Sequence, residues 1–387
     1  MVIHQGQLGA LAVMRALKRA GARVTLAIAS PPPASAGASR YADRVVLQPP
    51  MGDRRRFLEF ARDAARIGGV DVILPMGDAA LVAMQPYRAE LEAIVPVAAA
   101  PAANVAIAVD KAATIARARG VSEGLRVPAT TTPLSAAEAA TWRGRFPVLV
   151  KPRTGTGAVG VRLAGNTAEL RRAFELTTRE HGPALVQEVI DYRPGDKFVL
   201  LYLFDHGGDL AAWYDQRILL ECRAIAVGDG TMRRRGGNSL LWRSDSNANL
   251  LEKGRRLLAS MGWRGLAGIE GAFGRRDGQP YLFEINPRLD ATGTLALLRG
   301  PNLAYDACLV ALQRVPPRRL DLVAGHRARK DLFIMLAARE LRPALALLDP
   351  RFRPPVPIRL DPVPFVREVA RLLSKRLPGS TATVPDA

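Results

Sequence analysis

The chain has 387 residues, 48% of them apolar and 24% charged, a size that allows two or three domains and a composition that points to a soluble globular protein. Its formal charge of +19 comes mostly from arginine, which supplies 48 of the 55 basic residues; it reads as a general surface bias or as attraction to anionic substrates, lipids or nucleic acid. No zinc finger, RNP-type aromatic motif or basic zipper accompanies the charge, so nucleic-acid binding is unsupported, and no apolar run approaches the roughly 18–20 residues of a membrane span.

In chain order, Val2–Ile3 reads as a short strand, residues 11–20 as a helix that Gly21 stops, and residues 23–29 as a second strand. After prolines 31–33, Arg44–Leu47 is a third strand, 56–66 a helix, 70–74 a buried strand ending at Pro75, and 78–91 a helix. Strands and helices alternating at this length predict a parallel α/β layer, in which Gly6 and Gly9 serve strand-to-helix packing or hold a nucleotide. One helix is expected over 104–119, and 127–128 begins an extended stretch. Residues 146–151 and 159–163 read as strands around a glycine loop, and Asn166 or Thr167 caps a helix over 168–179. Strands follow at 184–189, 197–204 and 209–218, then a polar, glycine-rich stretch at 228–249 and a helix at 250–261. Residues 269–273 and 280–285 predict a hairpin turning at Arg276-Asp277-Gly278, and 301–313 a helix. Beyond 315 the chain is rich in Pro and Arg: helical over 331–348 with a break at Pro343, extended over 350–364, and a basic amphipathic helix over 365–377.

The glycine loop reads KPRTGTGAVG, with Gly155, Gly157 and Gly160 in G-x-G-x-x-G spacing. A dinucleotide turn needs a helix opening at the third glycine, whereas Val161-Arg162-Leu163 follows here. A Walker A loop places its lysine after the glycines, and Lys151 precedes them. Strand, glycine loop and strand make a hairpin. It is either a flexible turn or a lid whose N–H groups fold over phosphates while Lys151 neutralises them.

The stretch Glu284-Ile285-Asn286-Pro287-Arg288 carries the second signal. Residues two apart on a strand face the same way, so Glu284 and Asn286 project together. A carboxylate beside an amide oxygen suits a hard cation such as Mg²⁺. Glu270 lies in the preceding strand of the hairpin, in an apolar segment where a carboxylate needs a partner or a metal. The bland alternative is a surface hairpin with its polar residues in water.

With these residues in view the chain resembles the ATP-grasp superfamily, in its carboxylate-amine ligase branch with carbamoyl phosphate synthase and biotin carboxylase, over roughly residues 1–315. Ser39-Arg40-Tyr41 and Ile73-Leu74-Pro75-Met76-Gly77-Asp78 look like landmarks of the pre-ATP-grasp domain. The resemblance implies a fold of α/β and α+β character: a Rossmann-like pre-ATP-grasp domain (1–103), a two-lobed ATP-grasp domain (104–315, with a lid-bearing lobe at 104–183 and a metal-binding lobe at 184–315), and a helical extension (316–387). It implies ATP bound by Lys111, Lys151 and the lid glycines Gly155, Gly157 and Gly160, with adenine read by Glu188 and the backbone around Ile190. Glu270, Glu284 and Asn286 match the ligands of Mg²⁺ (or Mn²⁺), and Arg288 the arginine acting on the transferred phosphate. The family usually has Glu at the ribose position; Asp196 is the nearest match here.

The activity so implied is phosphorylation of a carboxylate to an acyl phosphate, which an amine then displaces. Arg217 either grips the substrate carboxylate or is an ordinary surface arginine, and 228–249 is the candidate substrate-specific loop. Biotin-carboxylase-like carboxylation and a non-catalytic ATP-binding protein are the alternatives. The expected partners are a small carboxylate and an amine, with a homodimer compatible and residues 365–377 open to a membrane-surface or protein contact. Cys222 and Cys308 lack metal-ligand or disulfide-framework spacing, the four histidines (His4, His181, His206, His326) form no zinc pattern, and the N-terminus carries no export signal, so a reducing, cytoplasmic setting is expected.

Overall fold

The computed structural model describes residues 1–3, 9–29, 35–121, 123–155, 158–227, 232–289, 293–321, 324–329 and 361–367. It has the mixed α/β and α+β architecture expected. The first layer comprises β1 (Val2–Ile3), α1 (Gly9–Arg19), β2 (Thr25–Ile28), β3 (Arg44–Leu47), α2 (Arg54–Arg66) and β4 (Leu74–Pro75), forming a parallel sheet in the order β3-β2-β1-β4. Successive residues of β1 and β2 pack toward opposite faces, both of them covered, whereas the edge strand β3 is largely exposed. Val2, Leu26, Ile28 and Leu74 pack with Leu11, Met14 and Leu17 of α1. Ile3, Ala27 and Ile73 pack on the other face with Phe57, Leu58 and Ala61 of α2.

Two expected helices are each divided. Pro86 sits in a single 3₁₀ turn between α3 (Asp78–Met84) and α4 (Arg88–Glu92), since proline offers no N–H to continue a helical ladder. The helix expected over 104–119 is α5 (Ala102–Val109) and α6 (Lys111–Arg119). Asp110 between them is extended, and its carboxylate accepts the N–H groups of Ala112 and Ala113, so a new helix starts at Lys111.

The next elements are β5 (Thr130–Thr131), α7 (Ala136–Ala139), β6 (Val148–Pro152), β7 (Arg162–Ala164), α8 (Thr167–His181) and β8 (Ala184–Glu188). Their strands pair antiparallel in the order β7-β6-β8-β5. Asn166 caps α8 by accepting from the Glu169 N–H, and Leu170, Ala173 and Phe174 cover Val148, Val150, Ala164 and Val186.

A further group of elements comprises β9 (Lys197–Phe204), β10 (Leu210–Val227), β11 (Met232–Asp245), α9 (Ala248–Ala259), β12 (Gly265–Phe273) and β13 (Pro280–Asn286). Its sheet runs β13-β12-β9-β10, with β11 on β10, and continues into the strands β7-β6-β8-β5 where Ala226 and Val227 pair with Arg162 and Leu163. Helices α10 (Thr294–Arg299) and α11 (Leu303–Ala311) and the edge strand β14 (Arg327–Arg329) complete this side.

The stretch expected as a polar loop at 228–249 is largely β11. Antiparallel pairing with an unexpectedly long β10 overrides its low local strand preference. Near the C-terminus, residues 362–367 are helical where an extended run to Pro364 was expected. Asp361 bonds to the Ser39 hydroxyl and the Arg40 N–H, and Phe365 is 4% exposed in the core that holds α1. The helix expected at 331–348 and residues 368–377 lie outside the described residues. Val366 is exposed, not on the buried side with Phe365. Among the described residues no helix is long and apolar enough to cross a membrane.

Candidate active site

The β12–β13 register places Glu270 directly opposite Glu284, and Asn286 lies on the same face two residues along. The Asn286 amide donates to Glu270 Oε1 at 3.3 Å. Burial, and then the neighbouring Glu270, push the Glu284 carboxyl up, while Lys111, Lys151 and Lys197 work against that rise. Lys111 opens α6, and its Nζ lies 4.0 Å from Glu284 Oε2 and donates to the Gly155 carbonyl at 2.6 Å. Its position follows from the Asp110 cap, since Asp110 is also paired to Arg153 at the end of β6 and the Lys111 N–H donates to the Arg153 carbonyl at 2.9 Å.

Lys151 projects from β6 on the other side. Its Nζ donates to Gln187 Oε1 at 2.6 Å and stands 5.9 Å from the centre of the Phe283 ring. Burial lowers its amine to about 8; Glu284 opposes the fall, and Lys111 and Lys197 add to it. Arg288, just past β13, makes a bidentate pair with Asp78 at the start of α3, and its Nη2 is 3.4 Å from Asn286 Oδ1. Lys111, Lys151, Glu270, Glu284, Asn286 and Arg288 therefore meet in one region, although they come from three parts of the chain.

The glycine-loop hairpin has the antiparallel β6–β7 pairing expected, with Val148 opposite Ala164 and Val150 opposite Arg162. Gly155 (φ 108°) and Gly160 (φ 70°) occupy backbone conformations that other residues resist. Gly157 lies outside the described residues. Glu188 ends β8, and its side chain accepts the Ala129 N–H at 3.2 Å, while Ile190 is half-buried in the segment that follows. Asp196 accepts the Arg193 N–H at 3.1 Å, so its carboxylate closes its own turn. Arg217 is 7% exposed and bound to Asp245 at 2.6 Å, with its guanidinium 4.7 Å from the Phe273 ring centre. These partners of Glu188, Asp196 and Arg217 lie outside the lysine–glutamate cluster.

Four residues join the cluster that sequence reasoning did not place there. Lys197 Nζ donates to Glu221 Oε1 at 2.7 Å and lies 3.2 Å from Glu270 Oε2. The Tyr192 hydroxyl donates to Glu221 Oε2 at 3.0 Å, and Asp78 anchors Arg288. Burial opposes the charge on Lys197, but Glu270 and Glu221 outweigh it and hold the amine above its ordinary range. The available signal was a lone lysine at the mouth of an otherwise apolar run, Lys197–Phe204.

Two carboxylates and an amide form a hard-oxygen donor set of the kind Mg²⁺ or Mn²⁺ accepts. Mg²⁺ prefers six oxygen ligands, so an ion held by these three groups would take its remaining oxygens from water or a second ligand. The surrounding Lys111, Lys151 and Arg288 favour phosphate for that role.

Residues 108–292 match the family model for the ATP-grasp domain. Among solved structures, the chain is similar to the biotin carboxylase domain of 2-oxoglutarate carboxylase from Hydrogenobacter thermophilus, a dimer in complex with MgADP, ADP and bicarbonate. That likeness has a TM-score of 0.66 at 17% identity over 84% of this chain and 72% of that one. Biotin carboxylase from Campylobacter jejuni, in complex with β-γ-ATP, gives 0.65 at 14% identity over 84% and 74%. N5-carboxyaminoimidazole ribonucleotide synthetase from Thermotoga maritima gives 0.58 at 16% over 84% and 76%. At such identities the likeness is one of fold. No curated protein matches the chain by sequence.

Proposed function

Because residues 108–292 match the family model for the ATP-grasp domain, we propose that this chain is an ATP-dependent ligase that phosphorylates a carboxylate and joins it to an amine. The observation that carries the reading is the meeting of Lys111, Lys151, Glu270, Glu284, Asn286 and Arg288 around one space. ATP phosphates lie between Lys111, Lys151 and the glycine loop. Glu284 and Asn286, with Glu270 facing them across the hairpin, would hold magnesium, which would neutralise phosphate charge.

The carboxylate oxygen of the substrate attacks the γ-phosphorus, and ADP leaves. Arg288, aligned by Asp78, neutralises the phosphoryl oxygens during transfer. The lid excludes water from the acyl phosphate until the amine attacks the acyl carbon, forming the C–N bond, losing a proton and expelling phosphate. We place the protein in the cytoplasm, where ATP is supplied and the free Cys308 stays reduced.

A second reading takes bicarbonate as the carboxylate. It is favoured by the fold likeness to two biotin carboxylases, one of them in complex with bicarbonate. Purified protein with MgATP and a matrix of carboxylates and amines, scored by ADP release, tests both readings. Hydroxylamine should convert an activated organic acid into its hydroxamate. ADP release that no organic acid and no bicarbonate accelerates would remove the ligase reading.

A further inference from the structure

Glu270 and Glu284 face each other across the hairpin, yet their surroundings differ. Both oxygens of Glu270 are engaged, Oε1 by the Asn286 amide at 3.3 Å and Oε2 by Lys197 at 3.2 Å. For Glu284 the ion pair is a distant one, 4.0 Å from Lys111.

Lys197 is not a mobile surface lysine that an arriving cation would displace. It is 7% exposed, and its backbone is fixed in β9 between Ile218 of β10 and Ala272 of β12. Its amine is tied on the far side to Glu221 at 2.7 Å, and Glu221 is held in turn by the Tyr192 hydroxyl at 3.0 Å. Withdrawing the amine would leave the Glu221 side chain, only 14% exposed, without its counter-charge, a costly change in a site so shielded from water. A divalent ion on Glu270 Oε2 would therefore share that carboxylate with a fixed ammonium, and like charges at such range repel strongly.

We propose that Lys197 is a built-in cation at the Glu270 end of the site, so that the nucleotide is bound with a single divalent ion, held by Glu284, instead of two. The proposal rests on the ATP-site reading above. In it Lys197 supplies positive charge, and the one N–H not engaged by Glu221 and Glu270, to the phosphate oxygens where a second metal would otherwise supply charge.

Counting bound Mn²⁺ by electron paramagnetic resonance, at saturating β,γ-imido ATP, tests this directly. The wild-type chain should bind one Mn²⁺ per nucleotide, Lys197→Arg should also bind one, and Lys197→Met, which keeps length but removes charge, should bind two. Two ions in the wild type, or a single ion in Lys197→Met, overturns the proposal while leaving the ATP site standing. No nucleotide-dependent Mn²⁺ in the wild type overturns the ATP-site reading and this proposal together. The wild-type count decides even where Lys197→Met does not fold.

Discussion

Arg288 and Asp78 form a bidentate ion pair at 2.6 and 2.9 Å across 210 residues of sequence. Their side chains are only 14% and 15% exposed, and Asp78 stands in the first turn of α3, in the N-terminal layer. That layer therefore fixes the orientation of the arginine assigned to the phosphoryl group. Asp78→Asn should lower kcat by about 10–100-fold, the scale expected for a misplaced reacting-group partner, with KM for ATP changed by about threefold or less. Steady-state kinetics with the accepted substrates check it. A large rise in KM at unchanged kcat would place Arg288 in nucleotide binding instead.

Gly160 combines φ 70° with a close neighbour: a Cβ there would lie 2.2 Å from the His181 ring. Gly160→Ala should destabilise the chain by about 1–3 kcal/mol. Adding His181→Ala should recover the steric part but not the backbone part. Denaturant melts of the single and double variants measure both. Full recovery in the double variant would show that the left-handed backbone contributes nothing.

Asp215 sits on β10, 2% exposed, where burial raises its carboxyl from 3.8 to about 6. Its folded-state value lies above the unfolded one, so between these values the folded state holds more protons. Its contribution to stability is full below about pH 4 and is lost as pH rises through about 6, amounting to about 2–3 kcal/mol. Asp215→Asn should flatten the decline in melting temperature across this window. A slope equal to that of the wild type would assign the titration to another group, such as Asp306, which burial also raises to about 6.

The C-terminal segment is packed onto the N-terminal layer. Asp361 is 2% exposed and bonded to Ser39, and Phe365 joins the core beside α1. Asp361→Ala leaves the buried Ser39 hydroxyl without this partner and should cost about 1–3 kcal/mol of stability. ADP formation below the melting transition should stay at the wild-type rate. A raised KM for ATP in this variant would make the segment part of the nucleotide site.

Elements defined by local pattern were legible in the sequence. The run Lys197–Phe204 reads as a strand because it is apolar throughout, and Glu284 and Asn286 could be paired because a strand repeats every two residues. Asp110 was harder, because its capping of α6 competes with an unbroken helical composition on both sides. The strand β11 owes its form to β10, a pairing with no signature in residues 228–249 themselves. Lys197 lay in plain view, but its partners Glu221 and Glu270 come from two other strands, and their registers with β9 bring the charges together. Arg217 shows the converse: its sequence neighbourhood gives no sign of Asp245 or Phe273, its observed partners.

The most direct test of carboxylate phosphorylation follows the oxygen atoms. The accepted organic acid, labelled with ¹⁸O in its carboxylate, is turned over with MgATP and the amine, and the released phosphate is analysed by mass. Attack of the carboxylate on the γ-phosphorus predicts one ¹⁸O in each phosphate released, because that oxygen leaves with phosphorus when the C–N bond forms. Product formed alongside wholly unlabelled phosphate would contradict an acyl phosphate.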